Sequence, residues 1–245
     1  RRGVSDHGLA AELATAAGEL LLRVRADFAA APAVERKTEG DKRSHDFLMR
    51  ALQQSRPTDA VLSEEGADNP RRLSAERVWI VDPLDGTREF SEPDRDDWAV
   101  HVALWERGEL VAGAVALPAQ GLTLATPDVA PPPEMSGPPR ILVSRTRPPA
   151  AALQVRDALS GTLVEMGSAG AKVAAVVQGR AEVYVHAGGQ YEWDSAAPVA
   201  VARAAGLHTS RIDGTPLRYN QSDPLLPDVL VCQPQFAEAV LHALR

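Results

Sequence analysis

The chain has 245 residues, 44% of them hydrophobic and 24% charged, a make-up that supplies a core and excludes extended disorder, a collagen-like fibre and a coiled coil. Its 26 Lys and Arg stand against 33 Asp and Glu, and the net charge of -7 repels a nucleic acid polymer. No apolar run approaches the roughly eighteen residues of a membrane span, so no membrane partner is expected.

The opening Arg1-Arg2-Gly3-Val4 lacks a methionine, no apolar signal segment follows the arginines, and no targeting role is expected of it. From Leu9 to Arg25, Leu9, Leu13, Ala16, Ala17, Leu20, Leu21 and Val24 recur at helical steps, with Ser5 and Asp6 as caps; this predicts a helix. A second helix is expected over Asp46 to Gln54, entered through a polar turn at Thr38-Glu39-Gly40-Asp41 and closed by Pro57. Ala60-Val61-Leu62 and Val78-Trp79-Ile80-Val81 read as buried strands, and the Val- and Ala-rich runs 98–104 and 110–117, split by Arg107-Gly108, as a hairpin.

Residues 127–149 hold eight of the 19 prolines, which suits an irregular crossing between two packed units. The expected organisation is an N-terminal α+β half over 1–126, a proline-rich crossing over 127–139 and a C-terminal α/β half over 140–245. In that second half strands are expected at 141–143, 181–186 and 229–231, and helices at 150–159, 170–178, 195–205 and 236–244. Cys232, the only cysteine, excludes a disulfide within the chain and points to a reducing cytoplasm; in a terminal strand it reads as a core residue. The six histidines show no zinc-ligand spacing, and Trp79, Trp98 and Trp105 read as core.

Carboxylates gather at three places. Asp82 ends an apolar strand and Asp85 follows it in Val81-Asp82-Pro83-Leu84-Asp85-Gly86-Thr87. A stiff turn there aims both acids to one side, Gly86 allows close backbone approach, and hard oxygen ligands suit Mg²⁺. As Asp-Pro and Asp-Gly are also ordinary turn dipeptides, solvated turn carboxylates are the plain alternative. Ser63-Glu64-Glu65 ends a neighbouring strand, and Asp194, in Glu192-Trp193-Asp194-Ser195-Ala196-Ala197, stands just ahead of a small-residue helix, where capping is its ordinary role.

These segments, in this order, resemble the inositol monophosphatase-like phosphatases. The likeness takes in Gly167-Ser168-Ala169 and Val177-Gln178-Gly179-Arg180 and covers nearly the whole chain. Within that group Glu192 and Pro216-Leu217-Arg218-Tyr219-Asn220 look most like the CysQ-type 3′(2′),5′-bisphosphate nucleotidases. Ala187 stands seven positions before Asp194, where many inositol monophosphatases carry an acid that holds substrate hydroxyls. Against this, Gly167-Ser168-Ala169-Gly170-Ala171-Lys172 has the length of the inositol phosphatase form.

The resemblance implies a layered α-β-α-β-α sandwich and a cytoplasmic, lithium-sensitive, Mg²⁺-dependent phosphomonoesterase. Its expected substrate is 3′-phosphoadenosine 5′-phosphate or its sulfated relative, in sulfate assimilation, and its expected state a monomer or homodimer. Glu64, Asp82, Asp85, Asp194 and the carbonyl of Leu84 would bind two Mg²⁺, or three with a further ion near Asp41. Asp41, Thr87 and Glu65 would serve catalysis. Gly86, Thr87, Ser144, Arg145, Ser168, Lys172, Glu192 and Tyr219 would contact substrate, with Arg145 on the second phosphate and Tyr219 near the base. The alternatives are the same chemistry on inositol 1-phosphate or fructose 1,6-bisphosphate, and a non-catalytic nucleotide or metal sensor.

Overall fold

A computed structural model describes residues 3–245; Arg1 and Arg2 of the opening segment lie outside the described residues. The chain runs α1 (Asp6–Asp27), α2 (Ala33–Ser55), β1 (Ala60–Ser63), β2 (Arg77–Asp85), α3 (Thr87–Ser91), β3 (Ala99–Glu106), β4 (Glu109–Leu117), β5 (Leu122–Ala125), β6 (Arg140–Val143), α4 (Ala150–Leu159), β7 (Thr162–Glu165), α5 (Ala169–Val177), β8 (Val183–Ala187), α6 (Glu192–Ala204), β9 (His208–Ser210), β10 (Asp228–Cys232) and α7 (Ala237–Ala243).

Strand alternation sorts the apolar residues into layers. In the first sheet, ordered β1-β2-β3-β4-β5, Trp79, Val81, Val100, Val102 and Leu104 pack with α1 and α2. Val78, Ile80, Ala99 and Ala103 face the other way, into a core shared with α5 and α6. The second sheet, ordered β7-β6-β8-β10-β9, closes that middle core with Leu142, Tyr184, Val229 and Val231. Its far face packs Ile141, Val183 and Leu230 against α4 and α7. Helices, sheet, helices, sheet and helices thus follow one another, the layering the sequence resemblance implied. Sheets buried on both faces explain why β2 and β3 read as continuous apolar runs. No helix among the described residues is long and apolar enough to cross a membrane.

Two local expectations are corrected. The turn expected at Thr38-Glu39-Gly40-Asp41 is the interior of α2, which begins at Ala33 after Pro32. Its polar residues form an exposed helical face with Arg43–Glu39 and Lys42–Asp46 pairs at i,i+4 spacing. Gly40 is on the packed side, where an added Cβ would come within 2.7 Å of the Phe90 ring. Close packing there outweighs glycine's poor helix propensity. Likewise α6 starts at Glu192, so Asp194 lies inside the first turn and reaches back to accept the Tyr191 N–H at 2.8 Å. Short strands β5, β7 and β9 and the one-turn helix α3 had no distinct sequence signal.

Candidate metal and phosphate site

A register shift builds the site. Asp82 pairs with His101 and Asp85 with Ala99, with an irregularity between them. Three steps along β2 therefore oppose two along β3, so Asp82 and Asp85 emerge on the same side rather than on opposite faces. That side is the one facing α5 and α6. β1 lies parallel to β2 with Ser63 opposite Val81, which delivers Glu64 beside Asp82. The first turn of α6 brings Asp194 from across the middle core.

Asp82, Asp85 and Asp194 each place one oxygen so that the set lies within 4.8 Å of one another. Each also commits one oxygen to the protein. Asp82 Oδ1 accepts the Leu84 N–H at 3.1 Å, and Asp194 Oδ2 accepts the Tyr191 N–H. Asp85 Oδ2 accepts the Gly170 N–H at 2.8 Å and the Ser168 hydroxyl. Among the described residues the second oxygen of each has no backbone or hydroxyl donor. Among the described residues the group consists of carboxylates alone, with Glu64 against Asp82, and these hard oxygen donors fit a divalent cation such as Mg²⁺.

The electrostatics agree. Burial, then repulsion from Glu64, Asp85 and Asp194, pushes Asp82 well above the ordinary carboxylate range. Burial and repulsion from Asp85 push Asp194 up to about 7; Glu64, though its residue is exposed, is raised by the partial desolvation of its carboxyl beside Asp82 and by repulsion from Glu65 and Asp85. Asp85 differs: burial raises it, but the His101 charge and its hydrogen bonds hold it down to about 2. Such clustered acids resist ionising together unless a positive charge joins them.

Asp41 on α2 faces Thr87, the first residue of α3, whose hydroxyl donates to Asp41 Oδ1 at 3.4 Å and to the Leu84 carbonyl at 3.3 Å. Ser44 pins the helix over the turn by donating to the Pro83 carbonyl at 2.6 Å. Burial, with repulsion from Glu65 and Glu64, lifts Asp41 to about 7; Glu65 itself is exposed. Gly86 adopts φ +81°, and a Cβ there would meet Asp97, Ser168 and Trp98 at 3.1–3.2 Å, so only glycine suits this crowded left-handed position.

The remaining expected contacts are placed differently from one another. Ser144 shares a hydrogen bond with Thr146, and Arg145 is paired with Glu89 at 2.9 Å and Glu92 at 3.3 Å. Lys172 is buried, donates to the Met166 carbonyl at 3.0 Å, and burial lowers its pKa. Glu192 is buried and accepts the Asn220 and Gln221 N–H groups at 2.5 and 3.0 Å, tying down the 216–221 loop. Burial raises it to about 7. Tyr219, expected near a base, is buried in the middle core with its hydroxyl 2.9 Å from Ser195 Oγ. Cys232 is fully buried, its thiol pushed up to about 12.

Residue-by-residue reading passed over His101, which touches Asp85, and Ser44. The alternation of Ala99 and Ala103 puts His101 on the site face of β3, but only the strand register reveals its partner.

Comparison with known proteins follows the same lines. The model of the inositol monophosphatase family matches residues 7–129 and 140–245. The "3'-phosphoadenosine 5'-phosphate phosphatase" of Mycobacterium tuberculosis is 52% identical over 237 residues, covering 93% of this chain and 89% of that protein. The "3'(2'),5'-bisphosphate nucleotidase CysQ" of Escherichia coli is 30% identical, over 77% of this chain and 81% of its own length. Among solved structures, inositol monophosphatase II of Staphylococcus aureus superposes with a TM-score of 0.82 at 22% identity, covering 96% of this chain and 91% of that one.

Proposed function

Since this chain belongs to the inositol monophosphatase family, we propose that it is a Mg²⁺-dependent phosphatase that removes the 3′-phosphate of 3′-phosphoadenosine 5′-phosphate. The observation that carries this reading is the convergence of Asp82, Asp85 and Asp194, one oxygen of each within 4.8 Å of the others, in a chain half identical to a protein named for that activity.

Mg²⁺ held by Glu64, Asp82, Asp85, Asp194 and the Leu84 carbonyl, two ions or three, would neutralise the phosphate oxygens and acidify the attacking water. The Thr87 hydroxyl, already aimed at Asp41, orients that water and relays its proton to the Asp41 carboxylate. Burial and the charges of Glu65 and Glu64 raise Asp41 above the ordinary carboxylate range, which favours its taking a proton. Water oxygen bonds to phosphorus as the bond to the 3′ oxygen breaks; the leaving oxygen takes a proton from solvent water, and Asp41 returns the proton it accepted to solvent. The products are adenosine 5′-phosphate and inorganic phosphate. Glu65 adds negative charge that keeps Asp41 basic.

Gly86 and Thr87 take the scissile phosphate with their backbone N–H groups. Ser144 and Arg145 take the second phosphate, Arg145 exchanging part of its pairing with Glu89 and Glu92 for a doubly charged partner. Lys172 contributes positive potential from its buried place. Ser168, Glu192 and Tyr219 act through their neighbours: Asp85, the 220–221 backbone and Ser195. We place the protein in the cytoplasm, as a monomer or homodimer. The test is phosphate release from 3′-phosphoadenosine 5′-phosphate with and without Mg²⁺, with the nucleotide product separated. Adenosine 5′-phosphate formed only with Mg²⁺ supports the reading, and adenosine 3′-phosphate or no release refutes it.

A further inference from the structure

His101 sits in the middle of β3 and is completely buried. By strand alternation it shares a face with Ala99 and Ala103, toward α5 and α6. Its two ring nitrogens meet two different parts of the carboxylate cage. Nδ1 lies 2.9 Å from the carbonyl of Trp193, the residue before Asp194; a carbonyl only accepts, so Nδ1 is the donor there. Nε2 lies 3.0 Å from Asp85 Oδ2. Among the described residues Nε2 has no well-aligned hydrogen-bond partner, so its contact with Asp85 is a close electrostatic one.

Asp85 Oδ2 is therefore held from two sides. Ser168 and the Gly170 N–H grip it from the start of α5, and the imidazole closes it off from β3. Of these groups only the imidazole also reaches α6. Gly170 is shaped to it: a Cβ at that position would stand 2.2 Å from His101 Nε2, a separation no real Cβ adopts. The imidazole and the missing side chain occupy one space.

We infer that His101 is a positioning residue that locks Asp85 to the Trp193-Asp194 segment, so that the carboxylates of Asp85 and Asp194, which converge within 4.8 Å, stay together for a cation. It touches no substrate and acts only through these two segments. The inference rests on the reading of Asp85 and Asp194 as cation ligands. Groups that hold metal-binding side chains commonly set affinity over a range of about 10–100-fold.

Binding of Mn²⁺ to the purified chain, read from the loss of the free-ion electron paramagnetic resonance signal, tests it without turnover. In His101→Asn the shorter amide reaches only the Trp193 carbonyl; in His101→Gln the amide reaches only Asp85. Gly170→Ala keeps the imidazole but evicts it from its place. The expected result is Mn²⁺ affinity about 10–100-fold weaker in His101→Asn and Gly170→Ala, with His101→Gln intermediate. The Mg²⁺ concentration for half activity should rise in parallel, while KM for nucleotide at saturating Mg²⁺ stays within about twofold of the unaltered chain. If His101→Asn does not fold, the order of His101→Gln and Gly170→Ala against the unaltered chain decides. Unaltered Mn²⁺ affinity in folded variants overturns the inference and leaves the cation reading standing. Failure of the unaltered chain to bind Mn²⁺ overturns the cation reading itself.

Discussion

Asp41 and Thr87, 46 residues apart, meet across 3.4 Å because the interior of α2 packs directly over the turn that carries Asp82 and Asp85. The contact joins the carboxylate proposed as the base to the hydroxyl proposed to orient the water. Replacing Asp41 by Asn keeps the shape and removes the base. Turnover should fall by about 10²–10⁴, with KM changed only a few-fold. Steady-state kinetics at saturating Mg²⁺ measure this, and a near-normal kcat removes Asp41 from the reaction.

Gly40 lets α2 come this close. In a free helix Gly→Ala stabilises by about 1 kcal/mol, but here the new methyl would lie 2.7 Å from the Phe90 ring and 3.2 Å from Leu84. Overpacking should win, costing roughly 1–3 kcal/mol, and kcat should drop because Asp41 moves with the helix. A thermal melt of Gly40→Ala checks the sign; a higher midpoint contradicts the packing.

The raised carboxylates make a pH prediction. Asp194 and Asp41 rise from 3.8 in the free side chain to about 7 in the fold, and Asp82 and Glu64 rise too. The native state therefore holds protons that the unfolded chain has lost. Their stabilising contribution is complete below about pH 4 and fades as pH rises through about 7. Asp85, held at about 2, has the opposite sign, and its contribution is lost only in strong acid. Metal-free protein should melt lower at pH 8 than at pH 5.5. Mg²⁺ should raise the midpoint by several degrees at pH 8, roughly 2–4 °C per kcal/mol of binding, and far less at pH 5.5. Scanning calorimetry in a chelator and in excess Mg²⁺ reads both effects.

Asp82→Asn removes the acid that burial and three neighbouring carboxylates disfavour most clearly. Metal-free protein should become more stable at pH 8, the trade found where a functional site stores repulsion. The same variant should lose Mg²⁺-induced stabilisation and activity together. Melting curves with and without Mg²⁺ decide, and a destabilised metal-free variant contradicts the repulsion.

Much of this was legible in the chain because the signals are local. The apolar runs of β2 and β3, the helical steps of α1 and the turn after Asp82 each depend on neighbouring residues, and the three acidic segments carry the family resemblance. What was not legible depends on distant partners. The polar stretch Thr38-Glu39-Gly40-Asp41 reads as a turn until Phe90 and Leu84 are set against Gly40. His101 reads as one histidine among six until the β2–β3 register puts it beside Asp82 and Asp85. Tyr219 reads as a residue near the base, and its hydroxyl's partner, Ser195, becomes visible only in the packed fold.

The central claim is that the carboxylate cage serves a phosphorylated nucleotide. Its most direct test is kcat/KM at saturating Mg²⁺ for 3′-phosphoadenosine 5′-phosphate, inositol 1-phosphate and fructose 1,6-bisphosphate, each assayed by phosphate release. The account predicts that the nucleotide is preferred by at least about tenfold, or about 1.4 kcal/mol in transition-state binding. A preference for inositol 1-phosphate or fructose 1,6-bisphosphate would contradict it.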